Sequence, residues 1–157
     1  MTGFLRAALY LIVTGCAAFL IGRILPKHWF HGDAFPYRDY PFEQKGNLYR
    51  KLYIQKWHTR VPDMSRLFRR WMPPKRLPAN PTSAQIELMV QETCVAEFTH
   101  LALLAVGLPV LWLWPGPGGI ALYAVDALLG NGIFILIQRF NRPKLMHLCE
   151  RLKKRGL

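Results

Sequence analysis

Two ionisable residues stand three positions apart where the chain turns from polar to apolar: Glu97 and His100, in ETCVAEFTHLALLAVGLPVLWLW (92–114). A carboxylate beside an imidazole fixes the ring tautomer and raises its basicity, which is what a general base needs. At about 100° per residue, Thr93, Glu97, His100 and Leu104 fall on one helical face. Glu97 can therefore bond His100 directly, or both can converge on a third group. A second polar pair, Asn131 and Gln138, shares a face of the next apolar helix, separated by about 10 Å along its axis. Arg139 and Arg142 follow at its end, with fork-shaped donors suited to phosphate or pyrophosphate.

Plainer explanations stand beside these. A polar pair in a membrane helix can serve only to join helices, at about 0.6 kcal/mol per hydrogen bond. Arg139, Arg142 and Lys144 can be a simple stop-transfer cluster. Ionisable residues at membrane depth are nevertheless functional by default, which favours a working role for Glu97 and His100. Asp126 lies near the middle of an apolar run, where a charge costs about 2.5–3.5 kcal/mol. It is either protonated or paired with a group the sequence does not name. Glu-x-x-His also occurs in di-iron bundles, but those need two such motifs and further carboxylates. No metal site is expected.

The elements that must position these residues follow from hydropathy. Three apolar runs, about 4–25, 96–114 and 118–137, are each close to the roughly 20 residues that span a bilayer. The first could instead be a cleaved signal peptide, but its long apolar core and the basic residues after it favour a span. The net charge of +12 is unevenly placed. Lys and Arg concentrate in the 27–95 segment and in the tail from Arg139, whereas the PGPGG turn between the second and third runs has none. The positive-inside rule puts the long segment and the C-terminus in the cytoplasm, and the N-terminus and PGPGG turn outside. No aromatic-basic recognition motif points to nucleic acid; anionic lipid headgroups are the partner the basic segments suit. Cys16, Cys94 and Cys149 are too widely spaced for a zinc site or a disulfide framework.

Within the 27–95 segment, KHWFHGDAFPYRDYP (27–41) is aromatic and turn-rich, as suits a membrane interface. GNLYRKLYIQKWHTRVPD (46–63) reads as a short helix with Leu48, Tyr49, Leu52, Tyr53 and Trp57 as its apolar stripe. SRLFRRWM (65–72) reads as another, capped by Ser65. Both suit helices lying in the membrane surface, or else ordinary packing on a small cytoplasmic core. Prolines make 73–81 a helix-free connector. Thr82 with Gln85 matches a capping box, so a long helix should start there and run unbroken to Gly107 and Pro109. The fold expected is all-α: one integral membrane domain (1–157) with about three transmembrane helices plus short amphipathic interfacial helices.

Several strings together resemble the glycosyl-4,4'-diaponeurosporenoate acyltransferase family. They are QRFNRPKL (138–145) preceded by Asn131, the E-x-x-x-x-E-x-x-H pattern of Glu92, Glu97 and His100, IQKWHTRVPD (54–63) and the first apolar run. The resemblance covers almost the whole chain in order, most specifically at QR-aromatic-NRP and AE-x-x-H. It implies a small multi-pass cell-membrane enzyme that transfers a fatty acyl group to a sugar hydroxyl on a glycolipid such as a carotenoid glucoside. On that reading His100 removes the hydroxyl's proton, Glu97 orients it, and Asn131 and Gln138 hold the thioester carbonyl as it gains negative charge. Arg139, Arg142, Lys56 and Arg60 would hold donor phosphates. Glu92, Trp57 and Asn141 join the substrate-binding set through the matching motifs. The implied partners are membrane lipids, a fatty acyl thioester (acyl-CoA or acyl carrier) as co-substrate, and a glycosylated lipid acceptor, with no cofactor. The rival reading is a non-catalytic membrane subunit whose polar residues only specify helix contacts. The sequence leaves the oligomeric state open.

Overall fold

Thr82 starts the helix around which the chain is arranged. Its hydroxyl accepts from the Gln85 N–H at 3.3 Å, and the Gln85 side chain accepts from the Thr82 N–H at 3.0 Å, closing the expected box. The computed structural model describes residues 2–44, 47–61, 77 and 79–156. In it this helix, α4, runs unbroken over Ser83–Val106. Before it come α1 (Gly3–Ile24), α2 (Asn47–Lys51) and α3 (Ile54–Trp57). After it come α5 (Val110–Leu113), α6 (Pro117–Val125), a π-helical segment Asp126–Gly132 and α7 (Ile133–Lys154). Among the described residues, all regular structure is helical. The expected helix at 65–72 lies outside the described residues, as does most of the 73–81 connector.

Three stretches are long and apolar enough to cross a membrane: Gly3–Ile24, Ser83–Leu113 and Pro117–Lys154. They contain the three expected spans in order. The third continues as helix far beyond position 137, because the basic tail folds back along the start of α4. There Ile86 packs with Cys149 and Leu152, and Lys153 pairs with Glu87 at 2.8 Å on the exposed side. The result is an antiparallel hairpin of α4 and α7 that is polar where Ser83 meets the C-terminal turns of α7 and apolar toward its other end.

The break after Val106 shows how the backbone is kept satisfied. Pro109 has no N–H, and the N–H groups of Leu108 and Val110 tighten onto the carbonyls of Ala105 and Gly107. The Leu104 and Val106 carbonyls are taken instead by tyrosine hydroxyls: Tyr123 donates to Leu104 at 2.9 Å and Tyr10 to Val106 at 2.7 Å. In hydrocarbon no water could substitute for them. Tyr10 also ties α1 antiparallel to α4, since Phe4 meets Trp114 at one end and Gly22 meets Thr99 at the other. Gly22 permits that approach, because a Cβ there would lie 2.9 Å from the Thr99 methyl.

The single helix expected over 46–63 is two short pieces. Tyr53 takes a left-handed conformation (φ 54°), turning the chain between α2 and α3. The break leaves Leu52 and Tyr53 exposed and brings Ile54 beside Tyr49 against Phe140 of α7, with Trp57 packed at the edge. The 27–44 loop also packs inward. Phe30 joins Cys94 and Val95, with Tyr37 against them. Gly32 passes so close that a Cβ would stand 2.7 Å from Val90 Cγ1.

Candidate active site

The Glu97 carboxylate is fully buried between α4 and α7 and receives two arginines. Arg139 Nε donates to one oxygen at 2.8 Å, and Arg142 Nη2 to the other at 2.5 Å. Burying a charge is tolerable only when it is paired and hydrogen-bonded, and here every member is. Arg142, 2% exposed, also donates to Thr93 Oγ1 (3.0 Å), the Thr93 carbonyl (3.2 Å) and the Tyr37 carbonyl (2.7 Å). Arg139 reaches Glu43 Oε1 at 2.7 Å and the Pro36 carbonyl at 2.7 Å. The rings of Tyr40 and Tyr37 lie against the two guanidinium groups, at 5.2 and 5.3 Å.

Glu43 closes this network from the loop. It accepts from the Tyr49 hydroxyl, the Tyr40 N–H (2.8 Å) and Arg139. Burial opposes its ionisation, but the Tyr49, Tyr40 and Arg139 hydrogen bonds outweigh that and hold the carboxyl below its usual range. Tyr49 moves the other way: burial, and then the carboxylate beside it, push its phenol above the ordinary value. Burial, ahead of neighbouring charges, likewise raises the Tyr37 phenol.

One turn along α4, His100 addresses a different partner. Its Nδ1 lies 3.0 Å from Asn131 Oδ1, and its ring stacks on Phe134 with centroids 4.9 Å apart and planes at 6°. Asn131 Nδ2 faces two acceptors of the π-helical segment, the Asp126 carbonyl and Asp126 Oδ2, both at 3.1 Å. A group facing only acceptors must be the NH₂, so the amide oxygen faces His100. In the neutral ring the proton is therefore on Nδ1 and the basic lone pair on Nε2. That is the tautomer a general base needs when it works through Nε2.

The structure thus redistributes the expected roles. His100 and Asn131 do meet across the hairpin, and Gln138 lies buried on the same side of the third span. Glu97 partners the arginines, and Asn131, in place of the expected Glu97, faces the His100 ring. Asn131's amide hydrogens are directed at Asp126, so it is not set to hold a carbonyl oxygen. Arg139 and Arg142, expected at donor phosphates, are internal ion-pair partners instead, because Glu97 and Glu43 lie within their reach. Lys56 and Arg60 are exposed on the outer side of the loop segment, with Lys56 over the Tyr53 ring at 4.7 Å. Trp57 donates to the Leu52 carbonyl at 3.1 Å and helps cover Phe140. Glu92 and Asn141 are half-buried.

Sequence reasoning missed Glu43, Tyr49 and the Pro36 and Tyr37 carbonyls, which lie about 100 positions from their arginines. No spacing rule links them. The sequence also does not name the partner of Asp126, which is Asn131. The local signal that was available is DALLGNG (126–132), whose two glycines fit the wide turn placing Asp126 under Asn131. Among the described residues, no group of His, Cys, Asp and Glu could hold a metal ion.

Three apolar spans around a buried ion cluster and a tautomer-fixed imidazole define a small helical integral membrane protein with an enzyme-like polar site. The glycosyl-4,4'-diaponeurosporenoate acyltransferase family model matches residues 26–151. Glycosyl-4,4'-diaponeurosporenoate acyltransferases of Staphylococcus aureus strains bovine RF122 / ET3-1 and MRSA252 are each 31% identical over 99% of this chain and 92% of their own length. That of strain Newman is 30% identical over the same shares. The chain belongs to this acyltransferase family. No solved structure matches it.

Proposed function

We propose that the protein is a membrane O-acyltransferase moving a fatty acyl group from a thioester donor to a hydroxyl of a lipid-linked sugar such as a carotenoid glucoside. The names of its relatives support a glycosylated carotenoid acid as acceptor. The observation that carries the catalytic part is the contact of His100 Nδ1 with Asn131 Oδ1 at 3.0 Å, which leaves Nε2 as the basic nitrogen. The acceptor hydroxyl oxygen attacks the thioester carbonyl carbon while its proton passes to Nε2. The tetrahedral oxyanion then collapses, the carbon–sulfur bond breaks, and the departing thiolate takes the proton back from the imidazolium.

Gln138 lies beside Arg139, which pairs with Glu97 one turn from His100. Gln138 is buried on the third span and is the amide we assign to the developing oxyanion. Glu97, Arg139, Arg142 and Glu43 hold the two helices in register beneath the imidazole. Exposed Lys56 and Arg60 face the aqueous side, where they suit the donor's phosphates. Both substrates are amphiphiles, so a site near headgroup depth lets each keep its tail in lipid. The basic segment and C-terminus are assigned to the cytoplasmic side, where thioester donors are made.

The test is lipid mass spectrometry of cells with and without the gene and with His100→Ala. The expected result is a species heavier than its precursor by one fatty acyl residue, lost without the gene and lost again in His100→Ala at normal protein level. Undiminished product from folded His100→Ala would leave the non-catalytic subunit as the better reading.

A further inference from the structure

We propose that Asp126 is a positioning residue that fixes the tautomer of His100 by orienting the Asn131 amide from within the π-helical segment. The inference rests on the proposed role of His100 and extends it to a residue that acts on the imidazole through the Asn131 amide.

An asparagine facing a histidine does not by itself choose a tautomer. Its oxygen would draw the proton to Nδ1, and its NH₂, after a flip, would draw it to Nε2. Something must set the amide. Asp126 does so with two acceptors, its backbone carbonyl and its Oδ2, each 3.1 Å from Asn131 Nδ2. Flipping the amide would oppose its oxygen to both of them.

The wide turn makes this possible. In an α-helix a carbonyl is met by the N–H four residues on, whereas the wider π turn spans five and frees backbone groups for side chains. Asp126 and Asn131 are five apart. Gly130 is fitted to the same device, because a Cβ there would stand 3.0 Å from Asp126 Oδ1 and oblige the carboxylate to shift by a few tenths of an ångström. An acidic residue in an apolar span, a glycine shaped around it and a buried amide between it and a histidine form one chain of contacts. Mere pinning of the turn would not require the chain to end on an imidazole.

The experiment reads the tautomer directly. Protein labelled with ¹⁵N-histidine in lipid nanodiscs gives ring-nitrogen shifts that distinguish Nδ1–H from Nε2–H, and His100 is assigned by subtraction with His100→Gln. The native protein is expected to show a single Nδ1–H form. Asp126→Leu removes the Oδ2 acceptor and leaves only the backbone carbonyl to hold the amide. A measurable Nε2–H fraction should then appear and acyl transfer should fall severalfold, with circular dichroism unchanged. Asp126→Asn, which can still offer an amide oxygen to Asn131, should keep the Nδ1–H form. The exchange Asp126→Asn with Asn131→Asp should keep it too, because the new carboxylate accepts from Nδ1–H and from the new amide. If Asp126→Leu does not fold, Gly130→Ala supplies the perturbation and should also mix the tautomers. An Nε2–H form in the native protein, or an unchanged Nδ1–H form in whichever of Asp126→Leu and Gly130→Ala folds, would overturn the proposal. Acyl transfer by His100→Gln is scored separately. Its persistence would remove the catalytic role of His100 without altering the tautomer result.

Discussion

Replacing Glu97 by Gln keeps the shape of the side chain and removes only the charge, so it isolates what the buried ion cluster contributes. Arg139 would keep Glu43 at 2.7 Å, but Arg142, 2% exposed, would lose its carboxylate and retain only hydroxyl, carbonyl and amide partners. Leaving a buried charge unpaired costs about 3–5 kcal/mol. At about 2–4 °C per kcal/mol for a chain of this size, the melting temperature should fall by roughly 6–20 °C. The measurement is thermal unfolding of purified protein in one detergent, followed by tryptophan fluorescence. Removing both charges with Glu97→Gln/Arg142→Met should cost clearly less than the sum of the two single losses, because neither partner is then left unpaired. A Glu97→Gln shift of only about a degree, or strict additivity in the double variant, would refute the view that this cluster holds α4 to α7.

Glu43 gives a pH signature. Its carboxyl is depressed in the folded state, so its stabilisation is complete above the ordinary carboxylate value and is lost as pH falls through the folded value. Melting temperature should therefore drop steeply only below about pH 4.5, and Glu43→Gln should flatten part of that acid limb. Tyr10→Phe strips the Val106 carbonyl of its 2.7 Å donor and should cost between about 0.6 and 1.7 kcal/mol, read as a lower melting temperature with the helical circular dichroism retained. Gly32→Ala pushes a methyl against Val90 and Met146 and should cost about 1–3 kcal/mol by the same measurement. A neutral Gly32→Ala would mean that the loop packs over α4 and α7 less closely than described.

Hydropathy, proline placement and one capping box were enough to determine the three spans, the start of the central helix and its break at Gly107 and Pro109. These are local properties, written in stretches of about 20 residues. The same locality exposed Glu97, His100, Asn131 and Asp126 as polar residues in apolar surroundings. Which of them touch could not be read from spacing. Glu97 and His100 share a helix face, yet Glu97 turns to arginines some 40 positions away, because two guanidinium groups, one buried and one half-buried, offer a carboxylate charge-assisted hydrogen bonds. The left-handed Tyr53 and the enclosure of Glu43 arise only when the loop packs on Phe140 and Arg139. The wide turn at 126–132 is likewise recognisable only once α4 lies beside it, where Asn131 meets Asp126 on its own helix and His100 on the other. Sequence alone determined the spans and the residues worth attention. Tertiary packing decided the pairings, because hydrogen bonds and ion pairs depend on distance in space and the residues forming them come from three separate stretches of the chain.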